Sequence, residues 1–312
     1  MSTLMRGNLQ CQDIFHPDGA AKFPRAAEIL EAFSVALRTP VAAASYNMVI
    51  LQIYAERVAN VPESRPDQFR RYPQFDDIRK VLQMKPKVAL VSDLQSPDGK
   101  RLWGCIPKDA KDISRYGDAS ILINADMAHA LETTEPNTIT HITALMLLCV
   151  TFAHERMHEL HHHFFPEWRL DSENTPPGVE PMTSDGQGES GWALETALLG
   201  GQIGVLWSQE AAENGWFGKI HDITMLKPNN KAYLLFGDQL RSFVQDVKSG
   251  TIPRRLNART VVAAEDRPSW LVSTRRPLPH RMTGPAIILR PGYVHSLVGN
   301  DHGLEIEDIN WT

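Results

Sequence analysis

The chain has 312 residues, 42% of them hydrophobic, a formal net charge of −5 and a pI near 6.2. That is ample for a large core, as one big domain or two intimate ones, and the lack of a basic excess argues against nucleic acid or an acidic membrane as a partner. No apolar run approaches the ~18 residues of a membrane span, the N-terminal MSTLMRGNLQCQD lacks the apolar core of a secretory signal, and Cys11, Cys105 and Cys149 are odd in number without a C-x-x-C pair, so a cytoplasmic protein without disulfides is expected.

Residues 1–23 read as irregular. A helix is predicted over 24–37, with Pro24 suited to its first turn, a second over 42–58, a polar loop over 62–73 and a short helix over 75–84. Residues 87–91 read as a strand. Ser96-Pro97-Asp98-Gly99 signals a turn, with 101–106 as the return strand of a hairpin. The stretch 119–125 (ASILINA) is a stronger strand, and its position before the next helix suits a cleft edge open to strand addition. Loop chemistry over 133–137, with Pro136 and an Asn137 cap, opens a long helix over 137–165 that Pro166 ends. A Pro/Gly-rich loop over 166–188 follows and is expected to border a cleft. Then come a helix over 189–207, an Asn214-Gly215 turn, the helical segment GDQLRSFVQDVK ending at Lys248, and short strands over 286–289 and 293–297. The C-terminal arginines are interspersed with acids and read as a solvated, salt-bridged surface.

The long helix carries the chemistry. Within TFAHERMHELHHHFF, at 151–165, stands His154-Glu155-Arg156-Met157-His158. Residues four apart share one face of a helix, about 6 Å apart along its axis, so both imidazoles can close on one metal ion. Glu155 lies ~100° round the helix, where it can reach water on the metal rather than the metal itself, as a general base must. The preceding residues 144–150 are apolar on every side, the mark of a buried helix. The motif therefore falls where a core helix runs out to a polar cleft.

A catalytic zinc takes three protein ligands and keeps one position open. One known solution adds a third histidine six residues after the second; Phe164 stands there and His163 is one residue out of register, which argues against that pattern. His161 is ~10 Å along the axis from His154 and reads as cleft lining or solvated; His162 and His163 read as surface residues or supports around the ligands. The other known solution takes a glutamate from a following helix, and Gly188-Glu189-Ser190-Gly191-Trp192-Ala193-Leu194-Glu195 looks like that second motif. Here the chain resembles the gluzincin zinc peptidases, the thermolysin-like arrangement, and most nearly the fungalysin form with its Gly-Glu-Gly-Trp run. The resemblance spans about sixty residues. It implies His154, His158 and Glu189 as zinc ligands and Glu155 as general base. Ser190 and Gly191 are small enough to let two helices approach and share an ion. The sequence departs from the family in an extra residue before Gly-Trp and in Ala193 where the family has an acid. Glu195 either replaces that acid or is itself the ligand.

Gluzincins take an oxyanion donor from a downstream Tyr or His; Tyr293 and His295 are the candidates, with Tyr233 and His221 behind them. The resulting expectation is an α+β, zincin-like protein. A small mixed sheet packs on the metal helix, with a second ligand-bearing helix beside it. Residues 1–135 form one cleft wall, 136–210 the metal-site helices, and 211–312 a C-terminal part that closes the cleft. The expected function is zinc-dependent hydrolysis of an amide or peptide bond, acting on a peptide or a small amide-containing substrate, with no nucleic-acid or membrane partner and an open oligomeric state. Two rivals stand beside it: a metalloenzyme on the same scaffold with a small biosynthetic substrate, and a non-catalytic binding protein stabilised by its metal. The intact Glu155 argues against the second.

Overall fold

The computed structural model describes residues 12–60, 72–92, 94, 95, 102–107, 120–165, 189–207, 220–227, 232–253, 255 and 256. Within these the protein is a mixed α/β structure, rich in helix and with two small sheets. The turns at 96–99 and 214–215, the loop at 166–188 and the strands at 286–289 and 293–297 lie outside the described residues, as do Tyr293 and His295.

The first helices begin on prolines: α1 (Pro17–Lys22), α2 (Pro24–Leu37) and α3 (Pro40–Asn60). A proline at the start of a helix loses nothing, since its missing N–H would have had no partner in the helix. After α4 (Phe75–Gln83) comes β2 (Val88–Val91), preceded in the chain by the short β1 (Gln12–Asp13). Next are β3 (Gly104–Cys105), β4 (Ile121–Asn124) and α5 (Ala125–Thr133).

The centre of the molecule is α6 (Ile139–Phe164). Thr138 caps it, its hydroxyl accepting the His141 amide at 3.3 Å. Every residue from Ile142 to Ala153 is buried, so the all-round apolar run does mark a core helix. It packs against α2, α5, β4, α7 (Ser190–Leu199) and α8 (Gly237–Lys248). At this depth, cutting a leucine such as Leu147 or Leu148 to alanine costs about 2–5 kcal/mol.

The first sheet has the order β1-β2-β4-β3. β2 and β4 run parallel, with Val88 opposite Ile121 and Leu90 opposite Ile123. Both strands are buried throughout, as parallel strands covered on two faces must be. Val88, Leu90, Ile121 and Ile123 join the main core beneath α6, while Ala89, Val91, Leu94 and Leu122 form a separate apolar cluster on the opposite face. The second sheet is antiparallel: β5 (Gln202–Trp207), β6 (Ile220–Leu226) and β7 (Ala232–Leu235). One hydrophobic cluster reaches from Ile14 to Leu256. Among the described residues no helix is long and apolar enough to cross a membrane.

Several expectations fail. β3 does not return along β2 as a hairpin; it pairs antiparallel with β4, Gly104 opposite Ile123. β4 is not an edge strand, because β2 occupies one side of it and β3 the other. Among the described residues the last strand of the sheet on the α6 side is β3. The residues after β4 form α5 rather than a loop, with the Asn124 side chain accepting the Asp126 amide at 3.0 Å as its cap. Asn137 is not the cap of α6; it takes a left-handed φ of 69° and Thr138 caps, consistent with the tolerance of asparagine for that region. The helix expected over 189–207 stops at Leu199, where Gly200 adopts φ 95°, and the chain turns into β5. Gly200-Gly201 is the signal that ends it.

Candidate metal centre

The metal motif occupies the last three turns of α6, and α7 is brought against it. The approach is close because Gly191 has no side chain: a β-carbon there would lie 2.4 Å from Cγ, Cδ2 and Cε1 of His154. Ser190, fully buried, is the other small residue at the crossing. The packing of two helices through small residues, expected from the sequence, is therefore what the structure has.

That contact places Glu189 over the two histidines. Its Oε1 is 2.7 Å from His158 Nε2 and 3.5 Å from His154 Nε2, and the two Nε2 atoms are 3.2 Å apart. Two ligand atoms on a tetrahedral zinc with 2.0–2.1 Å bonds stand about 3.3 Å apart. The triangle of Nε2, Nε2 and Oε1 thus fits the donor set and spacing of such an ion, its short side being a hydrogen bond in this structure. Among the described residues this is the group of histidine and acidic side chains with metal-holding geometry. His154, Glu189 and His158 retain 13%, 15% and 23% side-chain exposure, so the cluster forms a floor open to solvent on one side.

Glu189 also starts α7. It is the N-cap residue, with Oε2 accepting the Trp192 amide at 2.6 Å and Oε1 the Gly191 amide at 3.2 Å. Burial by itself would raise its pKa. His154 and His158 outweigh that, helped by the hydrogen bonds from His158 and the Trp192 amide, and hold the carboxyl well below its usual range. It is ionised and ready to act as a ligand.

The far nitrogens of both imidazoles are also held. His154 Nδ1 donates to Glu195 Oε1 at 2.7 Å, and Glu195 Oε2 accepts the Ile203 amide of β5 at 2.9 Å. Ser190 Oγ lies 3.2 Å from His158 Nδ1. A carboxylate only accepts, so it sets the His154 tautomer with Nδ1–H and leaves the lone pair on Nε2, the atom that faces His158 and Glu189. The two glutamates occupy different places: Glu189 faces both Nε2 atoms, and Glu195 stands behind His154.

Glu155 leaves α6 on a different side. It is 6% exposed and lies under β3, where a β-carbon on Gly104 would come 2.9 Å from its Oε1. The next motif residue, Arg156, is buried and donates from Nη2 to the Val81 and Met84 carbonyls, both at 2.7 Å, and from Nη1 to Glu159. It ties the end of α4 to the motif turn. Tyr46 of α3 reaches the same helix, its hydroxyl donating to the Ala153 carbonyl at 3.1 Å. The contacts of Arg156 with α4 and of Tyr46 with α6 carry no sequence signal, since those partners are distant in the chain.

Other expected site residues are not at the cluster. His161 is 3% exposed and packs edge-on against Phe165, so it is neither solvated nor cleft lining. His163 is exposed, as expected. Tyr233 sits on β7 with Lys227 Nζ 4.2 Å above its ring, two strands away from the Ile203 strand that meets Glu195. His221 falls on β6. Compared with known protein families, curated proteins and solved structures, the chain matches none.

Proposed function

We propose that this protein is a zincin-type, zinc-dependent hydrolase that cleaves an amide or peptide bond. The observation that carries the reading is the convergence of His154 Nε2, His158 Nε2 and Glu189 Oε1, with distances between them of 2.7–3.5 Å, on a solvent-facing floor. When bound there, zinc supplies a Lewis acid and lowers the pKa of its water towards 7. The chain's own residues do the rest. Glu195 and Ser190 hold the two imidazoles by their far nitrogens. Glu155, the acid of the motif that takes no part in the ligand triangle, accepts the proton of the attacking water and passes it to the leaving amine. β3, the last strand of its sheet among the described residues, runs beside Glu155.

The test is Glu155→Gln, which keeps size and hydrogen bonding but removes the base. Turnover of a mixture of N-acetylated peptides, followed by mass spectrometry, should fall about 10²–10⁴-fold while zinc stays at one ion per chain. Turnover at the parent rate would defeat the hydrolytic reading, whatever the metal does.

A further inference from the structure

Gly104 is the β3 residue that meets the metal helix. A β-carbon built on it would stand 2.7 Å from Thr151 Cγ2, 2.8 Å from Glu155 Cγ and 2.9 Å from Glu155 Oε1. Non-bonded carbons sit best at about 3.5–4.0 Å, so no side chain fits there as the residues stand. Backbone freedom is not the reason for glycine: among the described residues the glycines with positive φ are Gly200 and Gly250.

Neither element can withdraw. β3 is held to β4 by its pairing and by the Asn124 amide donating to the Trp103 carbonyl at 2.8 Å. β4 is buried on both faces. α6 is fixed by the core on its other sides, and Thr151, one turn before Glu155, is 1% exposed. Two of the three close contacts of an added β-carbon are with the Glu155 side chain, at Cγ and at the far-end atom Oε1, so that side chain takes the larger share of the displacement.

We propose that Gly104 is a positioning residue for Glu155: the volume of its missing side chain is the volume the Glu155 side chain fills, and this sets the direction in which the carboxylate leaves the helix. The proposal rests on the reading of Glu155 as the general base. It makes Gly104 specific to the base rather than to the metal, because Gly191 performs the equivalent service for His154 on the other side of α6.

The experiment places Gly104→Ala in the parent and in a Glu155→Ala background, with thermal unfolding, zinc content and steady-state kinetics on the N-acetylated peptide mixture. In the parent, Gly104→Ala should lower Tm by about 5 °C. In the Glu155→Ala background the loss should be less than half of that, because two of the three close contacts are gone. Zinc should remain at one ion per chain. A carboxylate displaced by about 1 Å should lower kcat roughly 10²-fold, with KM within about twofold of the parent. Equal Tm losses in the two backgrounds would overturn the proposal and assign the glycine to Thr151 or the backbone. Coupled Tm losses with an unchanged kcat would overturn it too. If the parent turns over nothing, the hydrolase reading fails on its own, and the unfolding comparison still decides whether Gly104 shapes the place of Glu155.

Discussion

Glu195 stands directly behind His154: its Oε1 accepts the Nδ1 proton at 2.7 Å while its Oε2 accepts the Ile203 amide at 2.9 Å, and it is 1% exposed. A buried carboxylate with both oxygens engaged fixes the tautomer and the orientation of the ring in front of it. Glu195→Gln should lower zinc affinity about 10–100-fold without abolishing binding. Competition with a chelator of known affinity measures this. An affinity equal to the parent's would mean that His154 is held by its packing against α7 alone.

Glu189 is the N-cap of α7 and, in the proposed function, a ligand, and the two roles separate by substitution. Serine caps a helix well and alanine does not, a difference of about 1 kcal/mol. Glu189→Ser and Glu189→Ala should both lose zinc. In chelator-treated protein, urea unfolding should find the alanine variant less stable than the serine variant by that amount. Retention of stoichiometric zinc in either would remove Glu189 from the ligand set.

Gly191→Ala drives a β-carbon to 2.4 Å from three atoms of the His154 ring. Overpacking of this kind costs roughly 1–3 kcal/mol. It should also rotate the ring or part the helices, lowering zinc affinity by at least about tenfold. Isothermal titration with Zn²⁺ reads the second effect, and an unchanged isotherm would show that α7 yields without disturbing the site.

His141, in the first turn of α6, has its pKa lowered by burial first, with Lys248 and Arg25 adding to it. The folded state therefore favours the neutral ring, and below the unfolded value of about 6.5 the unfolded chain binds more protons than the folded one. Its contribution to stability is complete above pH ~6.5 and declines as pH falls from there to the lowered folded value. His141→Gln in chelator-treated protein should lose less stability between pH 7.5 and 5.5 than the parent does. Identical pH slopes in urea unfolding would place the acid sensitivity elsewhere.

The long helix α6, its buried stem and the closeness of His154 to His158 were legible in the sequence, because these depend on helical period and on local hydrophobicity, which neighbouring residues encode. The sequence determined α2 to the residue and α8 as the segment GDQLRSFVQDVK for the same reason. It also brought Glu189 and Glu195 into view but left their roles open, since which acid meets Nε2 and which meets Nδ1 depends on how α7 crosses α6. Tertiary structure settled that, through the absent side chain of Gly191 and the bond from Glu195 to Ile203. It likewise decided which strand is the edge: β4 reads as a strong strand, and only its pairing with both β2 and β3 shows that it is internal. The helix α5 and the strand β6 escaped because short segments carry little periodicity. Gly104 carried no signal at all, because its neighbours Thr151 and Glu155 are some fifty residues away and the reason for glycine is a volume that only the folded chain defines.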